Sequence, residues 1–240
     1  VPDERCIRSS ANYMIKRCTE LLQYAHLSRV YLVMDGARCP LKAATNQLRE
    51  RQRSVNLGLA RQYKQQGGQR DKMFDKYKSC IKVRASLGEA VMARIAERFR
   101  PAQVTIVWSP YEADAQLLQL CVEQKTHAVI TEDSDVLLYA ATCRVPVPIL
   151  FKLDPNTGSC DVSSMEWLLR PDQSKWTASA KKKTASLEAF LQAFAIREKR
   201  TPGLGVRLFV QACVLAGCDY APNDVPGVGT VTAFKHVRNA

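Results

Sequence analysis

Residues 103–135 read QVTIVWSPYEADAQLLQLCVEQKTHAVITEDSD. The opening QVTIVWSP is a short apolar run, rich in β-branched residues and closed by Ser-Pro, which predicts a buried strand. YEADAQLLQLCVEQ then spaces its apolar residues as a helix does, and HAVITEDS returns to a strand. Strands alternating with helices imply an α/β layer with a mainly parallel sheet.

The same alternation appears upstream. Between Ser10 and His26 the apolar residues Tyr13, Met14, Cys18, Leu21 and Leu22 keep a helical period, and RVYLVMDG follows as a second strand ending at Asp-Gly. A further helical stretch covers Leu87–Phe99 before Pro101. Downstream, LGVRLFVQACVLA predicts an apolar helix, GCDY breaks it, and another helix starts near Thr230 after VPGVG. The fold class expected is α/β, with a mainly parallel central sheet flanked by helices. Arg170–Ser186, RPDQSKWTASAKKKTAS, has no period and is expected to be an exposed loop insertion. Two regions are expected, 1–100 with a basic segment at 40–84, and 101–240 with the insertion at 170–186.

With 240 residues, 46% of them hydrophobic, the chain can bury one large core or two smaller ones. Its amino end mixes charges through its apolar residues and no run reaches membrane-spanning length, so neither a signal peptide nor a membrane partner is expected and the reading is intracellular. Nine cysteines without a C-x-x-C pair, and three histidines, point to reduced core thiols and away from a zinc site or disulfide frame.

The basic excess is local. Between Pro40 and Arg84 there are twelve lysines and arginines against Glu50, Asp71 and Asp75, so twelve minus three leaves nine of the net +12 in this segment. A bias of that size, interleaved with Tyr63, Phe74 and Tyr77, predicts a phosphate-contacting surface. On a helix starting after Pro40, Lys42, Arg49 and Arg53 share one face, suited to gripping a scissile phosphate.

Acids occupy the strand exits. Asp35 follows Val30–Met34, Glu112 and Asp114 open the helix after Val104–Trp108, and Asp133 with Asp135 follow residues 128–131. Asp219 stands at the end of a later helix. Singly, each reads as a helix cap. Together they fall at the edge of a parallel sheet where ligands bind. Two ionised carboxylates ~4 Å apart repel by roughly 4 kcal/mol at an effective dielectric of 20, so a cluster needs a cation. Oxygen donors without histidine or thiolate suit Mg2+ or Mn2+, and two such ions can activate water and stabilise a leaving oxygen in phosphodiester hydrolysis. Glu132 reads equally as a local cap or a supporting group. Gly227 and Gly229 precede a helix, where a backbone can approach phosphate closely.

YLVMDGARCPLK with LRERQR, PYEADAQL, VITEDSDVLLYA and LAGCDYAPNDVPGVG, in that order, resemble the structure-specific 5' nuclease superfamily of flap endonucleases and XPG-like proteins, most of all exonuclease 1. The resemblance implies Asp35, Glu112, Asp114, Asp133, Asp135 and Asp219 as ligands of two Mg2+ ions, with Mn2+ a substitute. It implies Lys42 and Arg49 as catalytic arch residues, Arg53 as a DNA contact, and residues 40–84 as a helical arch accepting 5' ends. Gly227, Gly229 and Lys235 would belong to a helix-two-turn-helix holding the duplex backbone. The function implied is a metal-dependent 5' to 3' DNA exonuclease with 5' flap endonuclease activity, in a PIN-like core. Its partners would be DNA with 5' ends, flaps or nicks and replication or repair proteins, and its place the nucleus. The family normally opens with a further strand bearing a ligand aspartate, and nothing before Asp35 supplies it. The expectation is therefore a fragment or a degenerate member, with a strict flap endonuclease and a non-catalytic DNA-binding scaffold as the alternative readings.

If the basic segment contacts about six phosphates, DNA affinity measured by fluorescence anisotropy should fall roughly 1,000-fold between ~50 and ~200 mM salt. A flat salt dependence would return the segment to solvated surface.

Overall fold

The structure is a computed structural model, and it describes residues 3–24, 27–81, 85–154, 156–169, 182–220 and 225–239. The chain divides into two compact units, one of residues 1–34 and 38–108, the other of residues 35–37 and 109–240.

In the first unit, helix α1 (Glu4–Tyr24) begins six residues before the expected Ser10. The reason is Asp3, whose carboxylate accepts the Arg5 amide at 2.8 Å while its carbonyl accepts the Ile7 amide at 3.0 Å, so the helix is capped there. The buried stripe runs through Ile7, Ala11 and Cys18, and Tyr13, expected on the apolar face, is exposed. This stripe packs against Val91, Met92 and Ile95 of a later helix, Ala85–Arg98, and closes a core with Val104. Strand β1 (Val30–Met34) lies parallel to β2 (Val104–Trp108), with Val30 opposite Val104 and Met34 opposite Trp108.

Between these strands come a 3-10 turn at Pro40–Lys42, α2 (Ala43–Gln66), α3 (Arg70–Lys78), and α4, the Ala85–Arg98 helix. Helices α2 and α3 pack on each other, and Lys76 Nζ donates to Asn56 Oδ1 across their junction at 3.3 Å. The basic segment is thus largely helical; its residues 82–84 lie outside the described residues.

The second unit holds α5 (Ala113–Val122), β3 (Val129–Ile130), α6 (Asp135–Cys143), β4 (Ile149–Phe151), β5 (Asp161–Ser163), α7 (Met165–Leu168), α8 (Lys182–Arg200), α9 (Leu204–Ala216) and α10 (Thr230–Asn239). β3 pairs parallel with β4, and β4 antiparallel with β5. The α/β class matches the expectation, with the strands hydrogen-bonded among the described residues as a pair and a triplet. The proposed insertion at 170–186 is corrected at its end: α8 is already helical at Lys182, where lysines and alanines are good helix formers, and residues 170–181 lie outside the described residues.

Two cores fill this unit. One joins Leu118 of α5 and Val129 of β3 to Val136 and Ala140 of α6 and Ile149 of β4. The other gathers Phe190 and Phe194 of α8, Phe209 of α9 and Phe234 of α10. Phe194 is fully buried and stacks on Phe234 with ring centroids 5.9 Å apart. All nine cysteines are free thiols, and two of them, Cys6 and Cys143, are exposed in place of the expected core location. Among the described residues no helix is long and apolar enough to cross a membrane.

Phe194→Ala should lower the unfolding free energy by about 3–5 kcal/mol, because it empties a ring-sized space beneath α9 and α10. Urea unfolding followed by far-UV circular dichroism measures it.

Candidate functional site

The six acids expected to bind metal all belong to the second unit. Asp35 enters it as the chain leaves β1, and its Oδ1 accepts the amide of Ala113 at 2.8 Å. Ala113 is the first residue of α5, and Glu112, its N-cap by backbone position, makes no side-chain cap bond of its own. The capping duty that a local reading assigns to Glu112 is thus met by the Asp35 carboxylate, 78 residues before Ala113.

Two backbone bonds hold Asp35 there, from Gly36 to the Tyr111 carbonyl at 2.7 Å and from Ala37 to the Pro110 carbonyl at 3.0 Å. Glycine is needed at position 36. A Cβ there would lie 1.8 Å from the Ser109 carbonyl oxygen and 2.8 Å from that of Pro110.

Helix α6 starts in a related way. Asp133 Oδ1 accepts the amide of Asp135, the first residue of α6, at 2.9 Å, and Thr131 Oγ1 accepts the amide of Asp133 at 3.0 Å. Ser134, at the N-cap, makes no side-chain cap bond. Asp133 and Glu132 are exposed, as is Asp35, whereas Glu112, Asp114, Asp135 and Asp219 are half-buried. A half-buried carboxylate loses part of its hydration and so gains more from a cation than an exposed one does.

Side chains between the helices report which acids are neighbours. The hydroxyls of Tyr139 on α6 and Tyr220, the residue after Asp219, share a hydrogen bond. Burial chiefly, then that bond and the charges of Glu112 and Asp114, hold the Tyr139 phenol far above its usual range. Burial likewise pushes the Cys213 thiol on α9 up to about 11, with Cys218 and the charge of Asp135 adding to it. Cys213 therefore stays a neutral thiol near neutral pH. Tyr139 and Tyr220 were not singled out from the sequence. The one signal for Tyr139 was its place four residues after Asp135, on the same helix face.

The donor set is oxygen only, which suits a hard divalent cation. Among the described residues no three His, Cys, Asp or Glu side chains stand close enough together to hold one ion. Magnesium commonly takes one or two carboxylates and completes its octahedron with waters and substrate phosphates, so an oxygen-only donor set fits it in kind.

The expected basic helix face is corrected in one respect. Lys42 ends the 3-10 turn and is buried, 5% exposed, so it does not continue the α2 face that carries exposed Arg49 and half-buried Arg53. Pro40 causes this: it opens the turn, and the α-helical ladder starts only at Ala43. At the other end, Gly227 adopts φ +77°, in the left-handed region, before α10. The Gly229 carbonyl accepts the Ala233 amide at 2.9 Å and so starts the α10 ladder, on which Lys235 is exposed.

A family profile described as the XPG I-region matches residues 103–219, from the residue before β2 to Asp219, and so includes five of the six acids. Over these residues the chain resembles the XPG-like 5' nuclease family. It is 27% identical to exonuclease 1 of Oryza sativa subsp. japonica over 213 residues, which are 89% of this chain and 21% of that protein. With exodeoxyribonuclease 1 of Schizosaccharomyces pombe the identity is 30% over 218 residues, 91% of this chain and 31% of the relative. Flap endonuclease 1 of Trypanosoma cruzi is 27% identical over 212 residues, 88% of this chain and 44% of the relative. The chain thus spans about a fifth to a third of the length of these exonuclease relatives. Its fold resembles the catalytic core of Rad2, solved in complex with DNA substrate, at a TM-score of 0.55 and 19% identity over 95% of this chain and 51% of that one.

Gly36→Ala should cost about 1–3 kcal/mol of stability, since the added methyl forces the Ser109–Pro110 backbone to move. Chemical denaturation measures the loss, and an unchanged midpoint would mean that the Asp35 turn is not tightly held.

Proposed function

We propose that this chain carries the phosphodiester-cleaving centre of a metal-dependent 5' to 3' DNA exonuclease that also cuts 5' flaps. The observation that carries the reading is the bond from Asp35 to the Ala113 amide, which joins a strand-exit acid to the helix start bearing Glu112 and Asp114. The likeness to exonuclease 1 and flap endonuclease proteins along most of the chain supports it. DNA as the substrate is supported by the Rad2 core, whose structures hold DNA substrate.

Asp35, Glu112, Asp114, Asp133, Asp135 and Asp219 are the residues proposed to hold two Mg2+ ions, or Mn2+ in their place. When bound, such ions lower the pKa of water and stabilise the leaving oxygen. The chain's own contribution is to keep these oxygens in place: amides cap Asp35 and Asp133, and partial burial of Glu112, Asp114, Asp135 and Asp219 strengthens their pull on a cation. Lys42 and Arg49 are proposed to act on the scissile phosphate, and Arg53 to bind DNA. Arginine suits this task, because its planar guanidinium pairs with phosphate oxygens in two parallel bonds. Gly227, Gly229 and Lys235 are proposed as duplex-backbone contacts, the glycines through backbone amides at the approach to α10 and Lys235 through its exposed ammonium. A role in nuclear DNA replication and repair belongs to the same reading.

Asp133→Asn should abolish release of nucleotides from a 5'-labelled duplex in Mg2+ while leaving DNA binding in Ca2+ nearly unchanged. Cleavage at the wild-type rate would overturn the metal centre. Running a 5' flap beside the duplex separates the exonuclease reading from a strict flap endonuclease, which would cut the flap alone.

A further inference from the structure

Helix α9 ends at Gly217, where φ is +102°, and the chain turns out of the helical path before Asp219. Helix geometry therefore does not by itself dictate where the Asp219 carboxylate stands, and tethers made by its neighbours contribute to its position. Tyr220 supplies such a tether: its ring meets that of Tyr139 edge-on, with centroids 6.1 Å apart and planes at 88°, and the two hydroxyls share a hydrogen bond. Both rings are half-buried. Tyr139 lies one turn after Asp135 on α6, and α6 packs against α5 on one side and α9 on another.

We propose that Tyr139 and Tyr220 are positioning residues that fix the segment carrying Asp219 against α6, the helix that Asp135 opens, and so hold Asp219 in place for cation binding. This rests on the nuclease reading given above. Neither tyrosine needs to touch substrate or metal. Edge-to-face rings set the approach of the two segments, and the hydroxyl bond sets their register, as groups one step removed from a metal do when they orient its ligands.

The test uses the full chain and its Tyr139→Phe, Tyr220→Phe and doubly substituted forms. Mn2+ binding is followed by electron paramagnetic resonance, alongside thermal melting and the kinetics of duplex cleavage. Each single variant should bind Mn2+ roughly tenfold more weakly and lose kcat in proportion, with KM for DNA unchanged. The double variant should be no worse than either single one, because one shared bond is lost in all three. Single variants that bind Mn2+ as the wild type does, or that only melt earlier, would overturn the proposal, as would losses that add in the double variant. A wild-type chain that neither binds Mn2+ nor cleaves DNA would sink the nuclease reading and this proposal with it. A wild type that does both, beside unaffected phenylalanine variants, would sink the proposal alone.

Discussion

The bond from Asp35 to the amide of Ala113 is the constraint around which the candidate site is organised. A helix start leaves amides without partners, and α5 meets one of them with a carboxylate from the exit of β1. A charged cap of this kind contributes about 1 kcal/mol, a modest figure. Its larger effect is positional. It releases Glu112 from capping, and with the Gly36 and Ala37 backbone bonds it makes residues 35–37 part of the second unit although β1 belongs to the first.

Opposite charge requirements run through the chain. The segment from Pro40 to Arg84 carries nine of the twelve net positive charges, which favours a polyanion through long-range attraction. The acids of the second unit repel the same polyanion and one another unless cations intervene. The phosphate-cleaving centre proposed above would reconcile these demands, because a divalent ion can be shared between carboxylate and phosphate oxygens.

Periodicity made much of the fold legible. β1 and β2 were readable because each is an uninterrupted apolar run of strand length, and α10 because Thr230 follows a Pro/Gly turn. The start of α1 was missed because a single aspartate, Asp3, extends the helix through residues whose period is masked by Arg5, Cys6 and Arg8. β4 and β5 are three residues each, too short for an alternation to show, and they gain their identity only by pairing with β3 and with each other. Lys42 shared a helical spacing with Arg49, but Pro40 replaced the first α-turn by a 3-10 turn and buried the lysine.

What the sequence by itself determined was which chemistry is present and at which ends of which elements: carboxylates at strand exits, guanidiniums along one helix, glycines before another. Those are local facts, set by hydrophobic period and by the residue types beside each turn. Tertiary structure alone decided the partners, giving Ala113 to Asp35, Tyr220 to Tyr139 and the field of Asp135 to Cys213. Partnership between residues dozens of positions apart depends on how α5, α6 and α9 pack, and packing is a property of summed contacts that no single stretch of chain encodes.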